Sequence, residues 1–223
     1  MFCCCAASEE GANNYSTIAV DEGDPGLQVE PSKFDASSPA RKATPLARSF
    51  AITVERKKPK AALGVVLDPS GIEAVYVCSV QPGSHPVNEA NERSADQLMP
   101  GDFIFGVNGV TSDLAAMMQE VQSATTLTLS VRRPQEFSIS LCRNGQSVGC
   151  AITYDATTGI SLVIEAINGG PVNSWNEQNP SKQVLVGDRI TAVNGFQGPA
   201  VQLLEQIRSN DELRLTFVRP GPA

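Results

Sequence analysis

The chain has 223 residues, 24 acidic against 17 basic side chains, and one histidine, His85. The net charge of -7 is spread thinly, with seven acids and four bases in residues 1–49, nine and seven in 50–134, and eight and six beyond. No domain is basic, which argues against general nucleic-acid binding, and a single histidine excludes a histidine-rich metal site.

Residues 1–49 are rich in Ser, Ala, Pro, Asp and Glu and carry no sustained hydrophobic period, the pattern of a disordered tail. No basic stretch precedes an apolar one at its start, and Glu9-Glu10 comes too early for a secretory signal. No apolar run approaches the ~18 residues a membrane-spanning helix needs. The tail opens on Cys3-Cys4-Cys5 and ends in a basic stretch, Arg41, Lys42, Arg48, Arg56, Lys57, Lys58 and Lys60, broken by Glu55. Adjacent thiols do not easily close around one zinc, so S-acylation is their more natural chemistry, with the basic stretch as a second contact to an anionic leaflet. Phe2 occupies the position where myristoylation needs glycine. The alternative is an unmodified start. Cys78, Cys142 and Cys150 lie in or beside apolar strand-like stretches. They read as buried thiols of a reducing, cytoplasmic compartment, a bridge between Cys142 and Cys150 remaining the alternative.

Beyond the tail come β-branched, apolar strands at 51–54, 64–67 and 73–80, bounded by turn residues such as Asp68-Pro69-Ser70-Gly71. A short helix follows near 86–92, then a strand at 102–107 that ends in Asn108-Gly109, a tight-turn signal. Leu114, Met117, Met118 and Val121 fall at helical spacing, and Leu127, Leu129 and Val131 alternate as a closing strand. The same succession then repeats: strands at 137–141, 149–154 and 160–167, a helix at 171–178, a strand at 188–193 ending in Asn194-Gly195, a helix carrying Val201, Leu203, Leu204 and Ile207, and a strand with Leu213, Leu215 and Phe217. Pro86-Val87-Asn88-x-x-Asn91-Glu92 matches Pro171-Val172-Asn173-x-x-Asn176-Glu177. Gly101-Asp102 matches Gly187-Asp188, and Arg133-Pro134 matches Arg219-Pro220, at a period of about 86 residues. A repeat of that length is a whole domain rather than a solenoid unit of roughly 20–50 residues. The expected organisation is a tail over 1–49, one domain over 50–134 and a second over 135–220, joined by about three to five residues and so held close. The fold class is mainly β with α, each domain a small, partly open β-barrel or sandwich capped by two helices. No short strand is expected between Asn-Gly and the longer helix.

In this order the residues resemble a PDZ domain, twice. The first copy has Ala62-Leu63-Gly64-Val65 as a Gly-Leu-Gly-Phe-like loop, then Gln81-Pro82-Gly83 and Leu98-Met99-Pro100-Gly101-Asp102-Phe103-Ile104-Phe105-Gly106-Val107-Asn108-Gly109. The second has Ser147-Val148-Gly149-Cys150, Gly169-Gly170-Pro171, and Val184-Leu185-Val186-Gly187-Asp188 through Val193-Asn194-Gly195. Neither loop has the usual first glycine; Ala62 and Ser147 stand there.

The resemblance implies a non-catalytic adaptor that takes a peptide, usually a chain's C-terminus, as an added strand. Loop amides of Leu63, Gly64 and Val65, and of Val148, Gly149 and Cys150, would hold the terminal carboxylate as a nest holds an anion. Val65 and Leu67 with Leu114 and Met118 would wall the first groove, and Cys150 and Ile152 with Ala200 and Leu204 the second. Lys60 (or Lys58) and Arg143 would assist the carboxylate. Members that choose Ser or Thr two residues before the terminus usually carry His at the start of the second helix. Leu114 and Ala200 stand there, which implies an apolar ligand residue. Protein peptide motifs are the implied partners, two grooves adding avidity when a partner presents two tails. No cofactor and no metal is implied. Two other readings stand beside this one: a substrate-selecting module of a protease system, and a structural tandem with grooves closed by its own tail.

On the residues alone, without the resemblance, Asp102 and Asp188 stabilise the turn into a strand, Met117 is core, and His85 is a solvated loop residue. No nucleophile, base and orienter are legible together, so no enzyme is expected.

Overall fold

A computed structural model describes residues 15–19, 49–157 and 159–221. Strand β1 (Tyr15–Ala19) comes first. The first copy follows with β2 (Ser49–Glu55), β3 (Val65–Asp68), β4 (Val75–Val80), α1 (Pro86–Arg93), β5 (Phe103–Val107), β6 (Val110–Thr111), α2 (Leu114–Ser123) and β7 (Thr126–Arg132). The second runs through β8 (Pro134–Cys142), β9 (Cys150–Asp155), β10 (Leu162–Ile167), α3 (Gly170–Gln178), β11 (Arg189–Val193), α4 (Ala200–Ser209) and β12 (Glu212–Pro220).

Two antiparallel sheets result, ordered β2-β7-β5-β4-β3 and β1-β9-β10-β11-β12-β8. Neither closes into a barrel. Strand for strand the second order mirrors the first, with one addition: β1 lies outside β9, whereas β3, the counterpart of β9, is an edge among the described residues. Half-buried strands alternate as their sequences dictate. In β2, Ile52 and Val54 face inward while Ala51, Thr53 and Glu55 are exposed. Each copy has its own core, one around Val77, Leu98, Ile104, Met117 and Leu127, the other around Leu162, Ile164, Ile190, Leu203 and Phe217.

The repeated polar residues explain themselves as hairpin and turn locks. Asn108 at φ 51° and Asn194 at φ 53° each precede a glycine of positive φ, the geometry of a tight turn. The Asn108 carboxamide accepts from the Thr128 amide and donates to the Thr126 carbonyl, and Asn194 does the same with Arg214 and Glu212. Asn91 clamps both backbone groups of Leu98, and Asn176 those of Val184. Asp102 accepts from the Met99 amide at 2.7 Å and from Arg133 Nη1 at 2.6 Å. Asp188 accepts from the Leu185 amide at 2.8 Å and from Arg219 Nη2 at 2.6 Å. Burial raises both carboxyls above the ordinary range, opposed by those amide and guanidinium donors. The Gly-Asp and Arg-Pro signatures, about 30 residues apart in sequence, are thus two halves of one ion pair.

Only Arg133 separates β7 from β8, a shorter link than the three to five residues expected. The copies meet through a third apolar cluster of Ala74, Tyr76, Cys78, Phe103 and Val218. Beside it Arg189, 1% exposed, pairs with Asp68 at 2.6 Å, donates to Ser161 and lies 4.7 Å over the Tyr76 ring.

Several expectations are corrected. The segment expected to be a wholly disordered tail contributes β1 to the second sheet. The stretch after Asn108-Gly109 does hold a short strand, β6 paired with β5, reduced in the second copy to a Val193–Phe196 bridge. Cys142 is exposed and, like buried Cys78 and Cys150, is a free thiol. Burial pushes the Cys78 and Cys150 thiols up to about 12. Arg56 of the basic stretch is buried and donates to the carbonyls of Val121, Gln122, Ala124 and Ala61, closing the end of α2 rather than facing solvent.

Candidate functional site

The Leu63–Val65 and Val148–Cys150 loops have the same backbone. Gly64 sits at φ 80° and Gly149 at φ 84°. A Cβ on Gly64 would stand 2.3 Å from His85 Cβ, and one on Gly149 1.9 Å from the Gly169 carbonyl oxygen, so both positions require glycine for close approach as well as for φ. Their carbonyls are committed inward. Leu63 O accepts from Val87 and Gly64 O from Gln81; Val148 O accepts from Val172 and Gly149 O from Asn168. The Leu63 and Gly64 amides donate to no group among the described residues, so they are donors available to an anion. In the second loop the Gly149 amide donates to Ser147 Oγ at 3.2 Å.

Beyond each loop runs the strand expected to wall a groove. β3 pairs with β4 and its other edge is open among the described residues. Leu114 is the first residue of α2 and Ala200 the first of α4, so both fall at the start of the longer helix. Asp113 caps α2 by accepting from the Ala116 amide.

The two sets of wall residues differ in exposure. Val65, Leu67, Leu114 and Met118 are all half-buried, an apolar strip beside an open strand edge. Cys150, Ile152, Ala200 and Leu204 are all buried, none more than 4% exposed, and belong to the second core. β9 carries β1 on the edge that corresponds to the open one of β3.

Of the residues expected to assist a carboxylate, Arg143 donates from Nε to Gln146 O and from Nη1 to Ile207 O and Arg208 O, so its guanidinium closes the end of α4. It does there what Arg56 does for α2 in the first copy. Lys60 is exposed, at φ 62°, and its amide donates to Gln122 O; Lys58 is also exposed. Cys3, Cys4 and Cys5 lie outside the described residues.

Sequence reasoning missed His85. Rather than a solvated loop residue it is half-buried, packed by its Cβ and ring against Gly64 inside the first loop. In the second copy Gly170 takes this place, its Cα beside Gly149. The alignment of Pro86 with Pro171 carries that signal, since His85 and Gly170 immediately precede them. Among the described residues no group of three or more metal-ligating side chains comes together. No described helix is long and apolar enough to cross a membrane.

No protein-family model matches the chain, and no curated protein matches it. Among solved structures it is similar to "Structure of INAD PDZ45 in complex with NG2 peptide", at 20% identity over 84% of this chain and 97% of the other, with a TM-score of 0.35. A likeness this shallow adds nothing to the geometry of the loops and grooves.

Proposed function

We propose that the chain is a non-catalytic adaptor that binds extended peptide segments by strand addition, in the PDZ manner. The observation that carries this reading is the first copy's combination of three features: a glycine loop with uncommitted amides, an open β3 edge, and the half-exposed strip of Val65, Leu67, Leu114 and Met118. An added strand would satisfy the edge amides of β3 and lay alternate side chains on that strip. A terminal carboxylate is the anion that suits the loop. Leu114 at the head of α2 offers no hydrogen bond, so the ligand residue two before the terminus is apolar. Acylation of Cys3, Cys4 or Cys5 would add a tether to the cytoplasmic face of a membrane, at which the adaptor presents its partner.

The test is a C-terminal peptide-library screen on the full chain, each hit repeated as its amide. Selection of an apolar residue two before the terminus, lost on amidation and weakened at least tenfold by Leu114→Asp, is the expected result. Hits that bind equally well as amides, or that ignore Leu114→Asp, would falsify the groove assignment.

A second reading, a closed groove, is favoured for the second copy alone by the burial of Cys150, Ile152, Ala200 and Leu204.

A further inference from the structure

We propose that β1 is a ligand built into the chain: Tyr15–Ala19 occupies the second groove as its added strand, leaving the first groove as the one open to partners. The inference rests on the strand-addition reading, applied to the second copy. Two independent observations carry it. The first is the ladder. β1 pairs antiparallel with β9 over five positions, Tyr15 with Asp155, Ser16 with Tyr154, Thr17 with Thr153, Ile18 with Ile152 and Ala19 with Ala151. This sets the C-terminal end of β1 at the loop end of β9, next to Val148–Cys150. A peptide must run in that direction for the residues after its strand to meet the loop amides. The second is burial. The four groove-wall positions of the second copy are buried while their four counterparts in the first, which no described strand joins, are half-exposed.

A ligand on the same chain competes as an intramolecular one, so an outside peptide enters the second groove only by displacing β1.

Hydrogen exchange on the full chain, read over 150–155, tests this. In Thr17→Pro/Ile18→Pro two adjacent amides are removed, and since successive amides of a strand alternate in direction, one of them faced β9. Exchange over 150–155 should rise at least tenfold, while 65–68 stays as in the wild type. A synthetic peptide of residues 12–24, added at millimolar concentration, should restore the protection. Unchanged exchange in the variant overturns the proposal, as does a wild-type peptide that restores nothing. Should the variant lose protection in β10–β12 as well, a protease site placed at positions 26–30 replaces it. Cutting the folded chain there should let the N-terminal fragment leave on dilution and expose 150–155, and a fragment whose removal leaves 150–155 protected overturns the proposal. Failure of C-terminal peptides to protect 65–68 would instead remove the function proposed for the first groove and leave this result standing.

Discussion

The two copies share a strand order, a glycine loop and a set of turn locks, yet the candidate wall residues are half-buried in one copy and buried in the other. At equivalent positions the first has Val65, Leu67, Leu114 and Met118, the second Cys150, Ile152, Ala200 and Leu204. Both sets are apolar, though Cys150 and Ala200 are smaller than Val65 and Leu114. The neighbour differs too: among the described residues β3 has an open edge, whereas β9 carries β1.

The largest effect to expect from that contrast is chemical. Buried, with their thiols pushed up to about 12, Cys150 and Cys78 should alkylate at pH 8 far more slowly than exposed Cys142. Mass-mapped labelling with exposed Cys142 as reference measures it. In Thr17→Pro/Ile18→Pro the Cys150 rate should climb and the Cys78 rate should not; equal rates for Cys150 in both chains would break the comparison. The same two thiols also set a pH dependence. The native state keeps protons that the unfolded chain releases near pH 9, so stability should fall as pH rises from about 9 towards 12. Urea midpoints across that range check the direction.

Next in size is the contact between the copies. Arg189→Met leaves the Asp68 carboxylate buried without its partner and should cost about 3–5 kcal/mol in chemical denaturation. Adding Asp68→Asn should recover part of that loss; no recovery would mean that packing, not the charge pair, ties the copies together.

The matched truncations Leu204→Ala and Met118→Ala compare the grooves directly. Leu204 is buried and its loss should cost about 2–5 kcal/mol, whereas half-buried Met118 should cost about 1 kcal/mol. Equal costs would show the second groove to be no more enclosed than the first. The smallest effects belong to what the copies share. Asn108→Ala and Asn194→Ala each remove one hairpin lock and should each cost about 1 kcal/mol in thermal unfolding, by similar amounts.

Most of the fold was legible because its signals are local. Alternation in β2 and β7, the stripe of α2 and the Asn-Gly turns each need only a few consecutive residues. The candidate loops were legible through Gly64 and Gly149, since positive φ and close approach leave no other residue. The role of Arg143 was not, because its acceptors Ile207 and Arg208 lie 64 and 65 residues away. His85 was missed for a similar reason: its neighbour Gly64 is distant in sequence and offers no side chain to pair with it.

By itself, then, the sequence determined the duplication, the order of strands and helices in each copy, and the places where the chain must turn, since these follow from periodicity and from residues with few permitted conformations. Only the tertiary structure decided that Arg189 is buried against Asp68, that the guanidinium of Arg143 is taken by α4, and that Tyr15–Ala19 joins the second sheet and not the first. Strand addition is made through backbone groups that every residue carries. The five residues of β1 hold no composition signal strong enough to announce it, and the edge they join exists only once β9 has folded.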